Sequence, residues 1–367
     1  MKYSVGLLLG ITGLVVLNSC QVKEENKEEV LYVGTYTENG SEGIYRFNFN
    51  METGELVHKT LAAKIKNPSY VTFSPDRNSL YAVSEVDDYK KEDGSITTFR
   101  VKDTTLVKVD EQSTYGANPC YVGVNDSGKL VAVANYTGGN AVVYNTSDDG
   151  SLKATPQIID HKVIDTTKNA HAHMASFLNG ELLVSDLGLD KIRKYSESRG
   201  EFVSSEQREL IVGEGAGPRH FVTSDNGKFL YVINELNSTI TIFQKDADKY
   251  YILETYDTVD STFERESYCA DIHMSPDGKF LYGTNRGENT VVIFQVDKTT
   301  GKLKLVGRES VKGDWPRNFV LDPSGKHVLV ANQRSNNIVV FKRDAENGTL
   351  SFVSQVDLPS PVCLKFY

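Results

Sequence analysis

The chain has 367 residues, of which 39% are hydrophobic and 10% aromatic, and its formal net charge is −9. This composition supports a packed core, and its 19 tyrosines together with abundant Val and Thr favour β-strands. The acidic balance argues against nucleic acid and anionic membrane surfaces as partners.

The first residues are typical of a signal peptide. Lys2 is followed by an apolar run over residues 5 to 17, which is too short to span a bilayer but has the length of a signal-peptide core. The sequence Leu17-Asn18-Ser19-Cys20 resembles a bacterial lipobox. We therefore predict a signal peptide over residues 1–19 and a lipid on Cys20; the alternative is a signal peptide with an incidental cysteine.

A lipid anchor predicts a particular location for the protein. It would place the chain in the cell envelope of a Gram-negative bacterium, in the periplasm or on the outer-membrane surface, with the lipid as its only membrane contact. Residues 20–29 are rich in charge and are predicted to form a flexible tether. One globular domain is then expected over residues 30–367.

The other cysteines carry no metal-binding or redox motif. Cys120, Cys269 and Cys363 show no CxxC or Cys/His spacing, so the sequence predicts no zinc site. Buried free thiols are the favoured interpretation, and one disulfide among the three is the alternative.

A phrase of about fifty residues recurs along the chain, and a repeat of this period is typical of propellers. Each copy has a strand, a turn resembling "SPDG", a second strand that ends in a polar residue, and a third strand, and a fourth strand lies between copies. The residues that end the second strands are Thr35, Glu85, Asn135, Asp186, Asn234, Asn285 and Asn332.

The seventh copy is split between the two ends of the chain. "SPVCLKFY" at the C-terminus supplies its first strand, and "LYVGTYTENGSEGIYRFNF" supplies the next two. Pairing of these segments would close a ring without an exposed edge. We therefore predict an all-β fold, a seven-bladed β-propeller with four-stranded blades, closed by the C-terminal strand in the N-terminal blade.

Two columns of residues are expected near the axis, because the start of strand one and the end of strand two lie on the same face. The first column contains Ser69, Cys120, His173, Arg219, Ala270, Arg317 and Val362. The second contains Tyr36, Val86, Tyr136, Leu187, Glu235, Arg286 and Gln333. One histidine, three arginines and one glutamate should therefore face a common funnel, with Asn135, Asp186, Asn234 and Asn285 on its rim as substrate-binding residues.

This set predicts hydrolysis of a carbonyl compound without a metal or another cofactor. Arginines suit carboxylate, phosphate or a developing oxyanion, and a histidine can take a proton from water. Arg317 is assigned to substrate binding. His171 and His173 are both candidates for the base, and although the pair resembles half of a metal site, no third ligand has suitable spacing.

Structural roles are the alternatives for each of these residues. His173 could be a satisfied core histidine, Arg219 could simply pair with Glu235, and Arg317 could form a salt bridge between blades. The asparagines could cap turns. His220 and His273 are expected to be structural, and Asp271 is given no role.

Several phrases resemble the seven-bladed propeller lactonase family, which includes 6-phosphogluconolactonases and carboxymuconate lactonizing enzymes. They are "YVGTYT" (32 to 37), "HAHM" (171 to 174), "GAGPRHF" (215 to 221), "NEL" (234 to 236), "ADIHMSPDGKFLY" (270 to 282), "NR" (285 to 286) and "WPRNF" (315 to 319). The resemblance covers residues 31 to 367. It implies catalytic roles for the "HAH" pair, Arg219, Glu235 and Arg286.

The resemblance implies that water opens a sugar lactone to its acid. Export makes a phosphorylated substrate doubtful, so an unphosphorylated sugar lactone or a uronic-acid derivative is expected. The alternatives are a lactone-forming cycloisomerase and a noncatalytic surface propeller that binds sugar acids or a protein partner.

Overall fold

The computed structural model describes residues 1–3, 28–103 and 105–367. The predicted signal peptide, Cys20 and most of the predicted tether fall outside the described residues. The described part of the chain consists of strands and turns, and none of its segments is a helix long and apolar enough to cross a membrane.

The strands form seven four-stranded antiparallel sheets, which we number as blades from the one that closes the ring. Blade 1 contains β1 (Glu28–Thr35), β2 (Gly43–Asn50), β3 (Glu55–Lys64) and the last strand of the chain, β28 (Pro361–Phe366). Blade 2 contains β4 (Val71–Phe73), β5 (Ser79–Ser84), β6 (Ser95–Lys102) and β7 (Thr105–Ser113). Blade 3 contains β8 (Pro119–Val124), β9 (Leu130–Asn135), β10 (Asn140–Asn145) and β11 (Gln157–Asp160).

The remaining four blades follow in chain order. Blade 4 contains β12 (Ala172–Leu178), β13 (Glu181–Asp186), β14 (Lys191–Ser198) and β15 (Glu201–Ile211). Blade 5 contains β16 (Pro218–Thr223), β17 (Phe229–Asn234), β18 (Thr239–Asp246) and β19 (Lys249–Asp257). Blade 6 contains β20 (Tyr268–Met274), β21 (Phe280–Arg286), β22 (Thr290–Val296) and β23 (Leu303–Ser310). Blade 7 contains β24 (Pro316–Leu321), β25 (His327–Asn332), β26 (Asn337–Arg343) and β27 (Leu350–Asp357).

The predicted ring closure is confirmed. In blade 1, β28 pairs antiparallel with β1, so that Leu31 lies opposite Phe366 and Gly34 opposite Cys363. The two ends of the chain therefore share one sheet, and the blade has the same strand order as the other six. Strand β1 begins at Glu28, two residues before the predicted start of the domain.

The outer strand of blade 3 is shorter and begins later than the sequence predicts, because the segment at residues 148 to 156 was expected to mark it. In blade 3, "DDGSLKATP" forms a turn with a single isolated bridge between Thr146 and Leu152, and β11 starts only at Gln157. Pro156 precedes that strand, and proline cannot donate to a sheet ladder. The outer strand of this blade is consequently only four residues long.

The core lies between neighbouring blades. Every residue of β17 and β25 is buried, since these second strands are covered on both faces, and this explains their nearly continuous apolar sequences. Tyr231 and Ile233 of blade 5, for example, pack in one cluster with Leu281 of blade 6.

A repeated tyrosine–glycine contact joins one blade to the next and explains the recurring glycine of the outer turn. Tyrosine hydroxyls of the second strands donate to glycine carbonyls, from Tyr81 to Gly150, from Tyr231 to Gly301 and from Tyr282 to Gly348, at 2.8, 3.0 and 2.9 Å. At Gly301 the backbone has φ +74°, and an added Cβ would lie 2.3 Å from the Phe229 ring. A larger residue there would both strain the turn and clash with the core.

The three described cysteines are buried and free, which confirms the favoured interpretation for Cys120, Cys269 and Cys363.

Candidate active site

Residues of the first predicted column, at the starts of the innermost strands, lie in β-bulges. Between β12 and β13 the pairing passes from Ala172 to Met174, so His173 has no partner opposite it. Arg219, Arg317 and Cys120 are skipped in the same way in their blades. A bulged residue is free of the ladder and can turn its side chain out of the sheet.

Arg219, Glu235 and Arg286 form one ion-paired cluster. Oε2 of Glu235 accepts a hydrogen bond from Nε of Arg219 at 2.9 Å and lies 2.9 Å from Nη2 of Arg286. The arginine side chains are 2% and 5% exposed, whereas that of Glu235 is 16% exposed, so water reaches the carboxylate.

The charges of this cluster act strongly on one another. Burial would raise the pKa of the Glu235 carboxyl, but the charges of Arg286, Arg219 and Arg317 lower it below its usual value. Burial lowers the pKa of Arg286 to about 10, although Glu235 counteracts this effect. One carboxylate thus neutralises only part of the positive charge around it.

Arg317 forms a second cluster with Glu85 and Tyr36, to which the sequence analysis gave no catalytic or binding role. Its Nη2 donates to Oε2 of Glu85 at 3.3 Å, and its guanidinium lies 5.2 Å from the centre of the Tyr36 ring. The side chains of Arg317 and Glu85 are 15% and 17% exposed. Strand β5 ends at Ser84, so Glu85 occupies in blade 2 the position that Glu235 occupies in blade 5, and its amide donates to the carbonyl of Asn67 as that of Glu235 donates to Gly217. The sequence alignment had put Val86 at this position, one residue too far along the chain, and the neighbouring acidic residue was the signal that it missed.

His173 lies among these cations, and its Nδ1 has no hydrogen-bond partner in the described part of the chain. The residue is 4% exposed, and its Nδ1 is buried and makes no hydrogen bond. Burial, followed by the charges of Arg219 and other nearby groups that include Arg317, lowers the pKa of His173 well below its ordinary value. The imidazole is therefore neutral.

His171 is held differently from His173. Its Nδ1 lies 3.0 Å from the carbonyl oxygen of Tyr136, and its ring stacks on the Tyr136 ring at 4.5 Å. A carbonyl can only accept a hydrogen bond, so Nδ1 carries the proton and Nε2 keeps the lone pair. The Tyr136 ring also meets His173 edge-on at 5.9 Å, which places both histidines against one aromatic side chain.

Each of the three arginines retains a nitrogen that bonds to no other part of the described chain. Arg219 uses Nε and Nη1, and Arg286 uses Nε and Nη2. Arg317 uses only Nη2. Guanidinium N–H groups donate hydrogen bonds to oxygen acceptors. Nη2 of Arg219 and Nη1 of Arg286 therefore remain as unused donors for an oxyanion or a carboxylate.

The predicted rim residues do not lie on the rim. Asn135, Asp186, Asn234 and Asn285 are 0% exposed and bond within and between blades. Nδ2 of Asn135, for example, donates to the carbonyl of Thr114 at 2.7 Å, and Asp186 binds His161 at 2.8 Å. These residues hold strand ends, because a buried amide or carboxylate must find partners inside the fold.

His220 and Asp271 pack directly behind Arg219. Nε2 of His220 lies 3.4 Å from Nη1 of Arg219, and Nδ1 lies 2.8 Å from Oδ1 of Asp271. His220 is thus packed between blades, as expected, but it also touches a predicted site residue. Asp271, which the sequence analysis could not place, therefore lies in the core behind Arg219, in contact with His220.

Surface cavities lie at both ends of the blades. One of about 580 Å³ is lined in part by Tyr268, Trp315 and Arg334. The guanidinium of Arg286 lies 5.2 Å from the centre of the Trp315 ring, so this cavity adjoins the first cluster. Another of about 450 Å³ lies at turns such as Pro75–Asn78, at the opposite ends of the strands. Within the described ranges, no three His, Cys, Asp or Glu side chains come together to hold a metal ion.

Fold and site together define a seven-bladed propeller with arginines, glutamates and histidines clustered near one end of its axis. The chain belongs to the lactonase, 7-bladed beta-propeller family, whose model matches residues 30–366. This finding confirms the predicted family and fold.

Named relatives agree with that membership. A 6-phosphogluconolactonase of Bacillus subtilis is 33% identical over 91% of this chain and 97% of that protein. One from Formosa agariphila is 36% identical over 80% of this chain and 86% of that protein. The solved structure of a periplasmic gluconolactonase from Pseudomonas aeruginosa has a TM-score of 0.87 and 31% identity, over 92% of this chain and 99% of that one.

Proposed function

We propose that the protein is a metal-independent hydrolase that opens a sugar lactone to its acid at the axial site. We use this name for His171, His173, Arg219, Glu235, Arg286, Arg317 and Glu85. The observation that carries the proposal is the pair of unused guanidinium nitrogens on Arg219 and Arg286. His173 lies close to these charges, and His171 stacks on the Tyr136 ring that His173 also contacts. The names of the relatives support the same chemistry.

The reaction proceeds by attack of water on the lactone carbonyl carbon. The water oxygen forms a bond to that carbon and gives its proton to a histidine, while the carbonyl oxygen becomes an oxyanion. Arg219 and Arg286 bind this oxygen, and preorganised donors of this kind commonly lower a barrier by about 3–4 kcal/mol. The bond between the carbon and the ring oxygen then breaks, the ring oxygen takes the proton from the histidine, and the new acid ionises.

His171 is the better candidate for the base. Its Nδ1 proton is fixed by the carbonyl of Tyr136, so Nε2 presents a lone pair to water. His173 is poorly suited to accept a proton, because burial and the charge of Arg219 disfavour its imidazolium form. We therefore assign His173 the role of a neutral imidazole that forms a hydrogen bond with the substrate.

Glu235 orients the two arginines and limits their net charge. The axial site holds three arginines and two glutamates, which leaves one positive charge. One positive charge matches the single oxyanion of the reaction and the single carboxylate of an unphosphorylated sugar acid. A phosphate would bring a further negative charge with no matching cation among these five groups, so we propose an unphosphorylated substrate.

An exported location fits that substrate. The similar structure from Pseudomonas aeruginosa is named a periplasmic gluconolactonase. Together with the lipobox-like sequence that ends at Cys20, this supports our proposal of an envelope lipoprotein.

A panel of lactones tests the function. The purified protein, treated with EDTA, should acidify solutions of unphosphorylated aldonolactones faster than a protein-free control, and a pH indicator follows the reaction. Arg219→Lys should lose at least about 100-fold in kcat/KM, because lysine cannot present a fork of donors. The matched control is Arg193→Lys, which changes an ion pair with Glu209 on outer strands. An Arg219→Lys protein with wild-type activity would refute the proposed role of this site.

A further inference from the structure

A chain of hydrogen bonds runs from the axial site into the core behind Arg219. Nη1 of Arg219 lies 3.4 Å from Nε2 of His220 and donates to the carbonyl of Ala270 at 2.5 Å. His220 in turn contacts Oδ1 of Asp271 at 2.8 Å. Arg219 and Asp271 are 2% and 3% exposed, so this chain is closed to water.

Asp271 is held by five donors, and two of them belong to the backbone. Oδ1 accepts from His220 and from the amide of Ile272 at 3.0 Å. Oδ2 accepts from Nδ2 of Asn318 at 2.5 Å and from the amide of Phe319 at 3.3 Å, and His273 lies 3.0 Å from it. No lysine or arginine pairs directly with this buried carboxylate in the described part of the chain.

The orientation of Asn318 is fixed by the strand that closes the ring. Its Oδ1 accepts a hydrogen bond from the amide of Leu364 at 2.7 Å, so Nδ2 must point to Asp271. Each oxygen of Asp271 therefore faces an N–H group that cannot become an acceptor. For Oδ1 this donor is the amide of Ile272, and for Oδ2 the donors are Nδ2 of Asn318 and the amide of Phe319. An amide group in place of the carboxylate would oppose N–H to N–H in either orientation.

The carboxylate determines the tautomer of His220. Because Asp271 can only accept, Nδ1 of His220 must donate, and Nε2 must present its lone pair to Arg219. Burial, with the charge of Arg219, lowers the pKa of His220 to about 4, so the imidazole stays neutral near pH 7. Burial would raise the pKa of Asp271, but His273 and His220 hold it well below its usual range.

We propose that Asp271 and His220 are positioning residues, which orient the guanidinium of Arg219 so that its Nη2 faces the reacting oxygen. Asp271 acts through His220 and touches no substrate. The consequence for catalysis rests on the proposed function, whereas the tautomer and the orientation of Arg219 do not depend on it. A role in blade packing alone would not require His220 to adopt one particular tautomer, so the tautomer distinguishes the two roles of Asp271.

Two variants remove this control in different ways. Asp271→Asn keeps the size of the side chain but faces fixed donors with an N–H₂ group, and His220→Phe keeps a ring among Tyr121 and His173 but has no lone pair. The matched control is Asp322→Asn. Asp322 is 1% exposed and accepts from the amide of His327 at 2.6 Å, but it lies on the turn between β24 and β25, away from the axial site.

The first measurement is spectroscopic and uses the wild-type protein. ¹⁵N-histidine spectra should show His220, assigned by its loss in His220→Phe, as the neutral tautomer protonated on Nδ1 at pH 7. Asp271→Asn should shift His220 toward the Nε2-protonated tautomer, and Asp322→Asn should leave it unchanged. A wild-type His220 protonated on Nε2, or doubly protonated at pH 7, would overturn the proposal even if the protein hydrolyses no lactone.

The second measurement is kinetic. Asp271→Asn and His220→Phe should each lower kcat by about 10- to 100-fold with less than about a threefold change in KM, since a misplaced donor is felt mainly in the transition state. In an Arg219→Lys background, Asp271→Asn should cost less than about twofold, because residues that act through one another are not additive. Equal losses in both backgrounds would show that Asp271 does not act through Arg219.

Discussion

Replacement of Glu235 by glutamine tests the charge balance of the axial site most sharply. The carboxylate is shared by Nε of Arg219 and Nη2 of Arg286, each at 2.9 Å, and both arginines are at least 95% buried. Removing one partner of a buried ion pair typically costs about 3–5 kcal/mol. Glutamine keeps one oxygen acceptor, so we expect a loss of about 3 kcal/mol in the free energy of unfolding.

The same substitution should change ligand binding in the opposite direction. The axial site would gain one net positive charge, so gluconate should raise the melting temperature of Glu235→Gln more than that of the wild type, while lactone hydrolysis falls at least about tenfold.

Urea denaturation and calorimetry with gluconate measure the two effects. The matched control is Glu209→Gln. Glu209 also contacts two cations, Arg193 at 2.8 Å and Lys191 at 3.3 Å, but it is 30% exposed, so less than about 1 kcal/mol should be lost. A Glu235→Gln protein as stable and as active as Glu209→Gln would refute this description of the cluster.

Three further predictions concern the histidines and the N-terminus. His171→Asn should lower kcat by about 100-fold or more, because it removes the proposed base, whereas His173→Asn should lower kcat less; steady-state kinetics of both variants decide between the two. Because the pKa of His220 falls from 6.5 to about 4 on folding, the unfolded chain binds an extra proton between these values. The free energy of unfolding should therefore decrease as pH drops through this range, by up to about 3 kcal/mol from His220, and urea denaturation at constant ionic strength should not give a flat profile. Cys20→Ser should abolish incorporation of labelled palmitate and release the protein from the membrane fraction, and a wild type that takes up no lipid would exclude the anchor.

The ring and its closure could be predicted from the sequence because the repeated phrase carries its own physical reasons. The glycine of the outer turn, such as Gly301, recurs because its carbonyl accepts from a tyrosine hydroxyl of the preceding blade. A Cβ at Gly301 would clash with the Phe229 ring. The split copy follows from the same pattern, since a strand such as β28 completes a sheet only with β1.

The axial charges could be predicted as a group, but their partners could not. Arg219 and Glu235 were placed together by the antiparallel hairpin, whereas the bulge that frees Arg219 leaves no mark in the sequence. Glu85 comes from a blade on the far side of the ring closure from Arg317, and only the assembled ring joins them. Asp271 was given no role because its donors come from three blades and its function is visible only through His220.

The asparagines at the strand ends show a limit of the same reasoning. Asn234 lies next to Glu235 in the sequence, but successive residues of a strand point to opposite faces. Its side chain turns into the blade and bonds to Thr239 and Thr241 at 2.9 Å. Position along the strand was correct, and the direction of the side chain was not.

A crystal structure with an aldonate product bound tests the central claim most directly. The claim is that the blades bring Arg219 and Arg286 to one water-accessible site for a single negative charge. The carboxylate should lie within hydrogen-bond distance of Nη2 of Arg219 and of Nη1 of Arg286, with Nε2 of His171 near the same group. An aldonate that inhibits hydrolysis competitively but binds away from these arginines would contradict it.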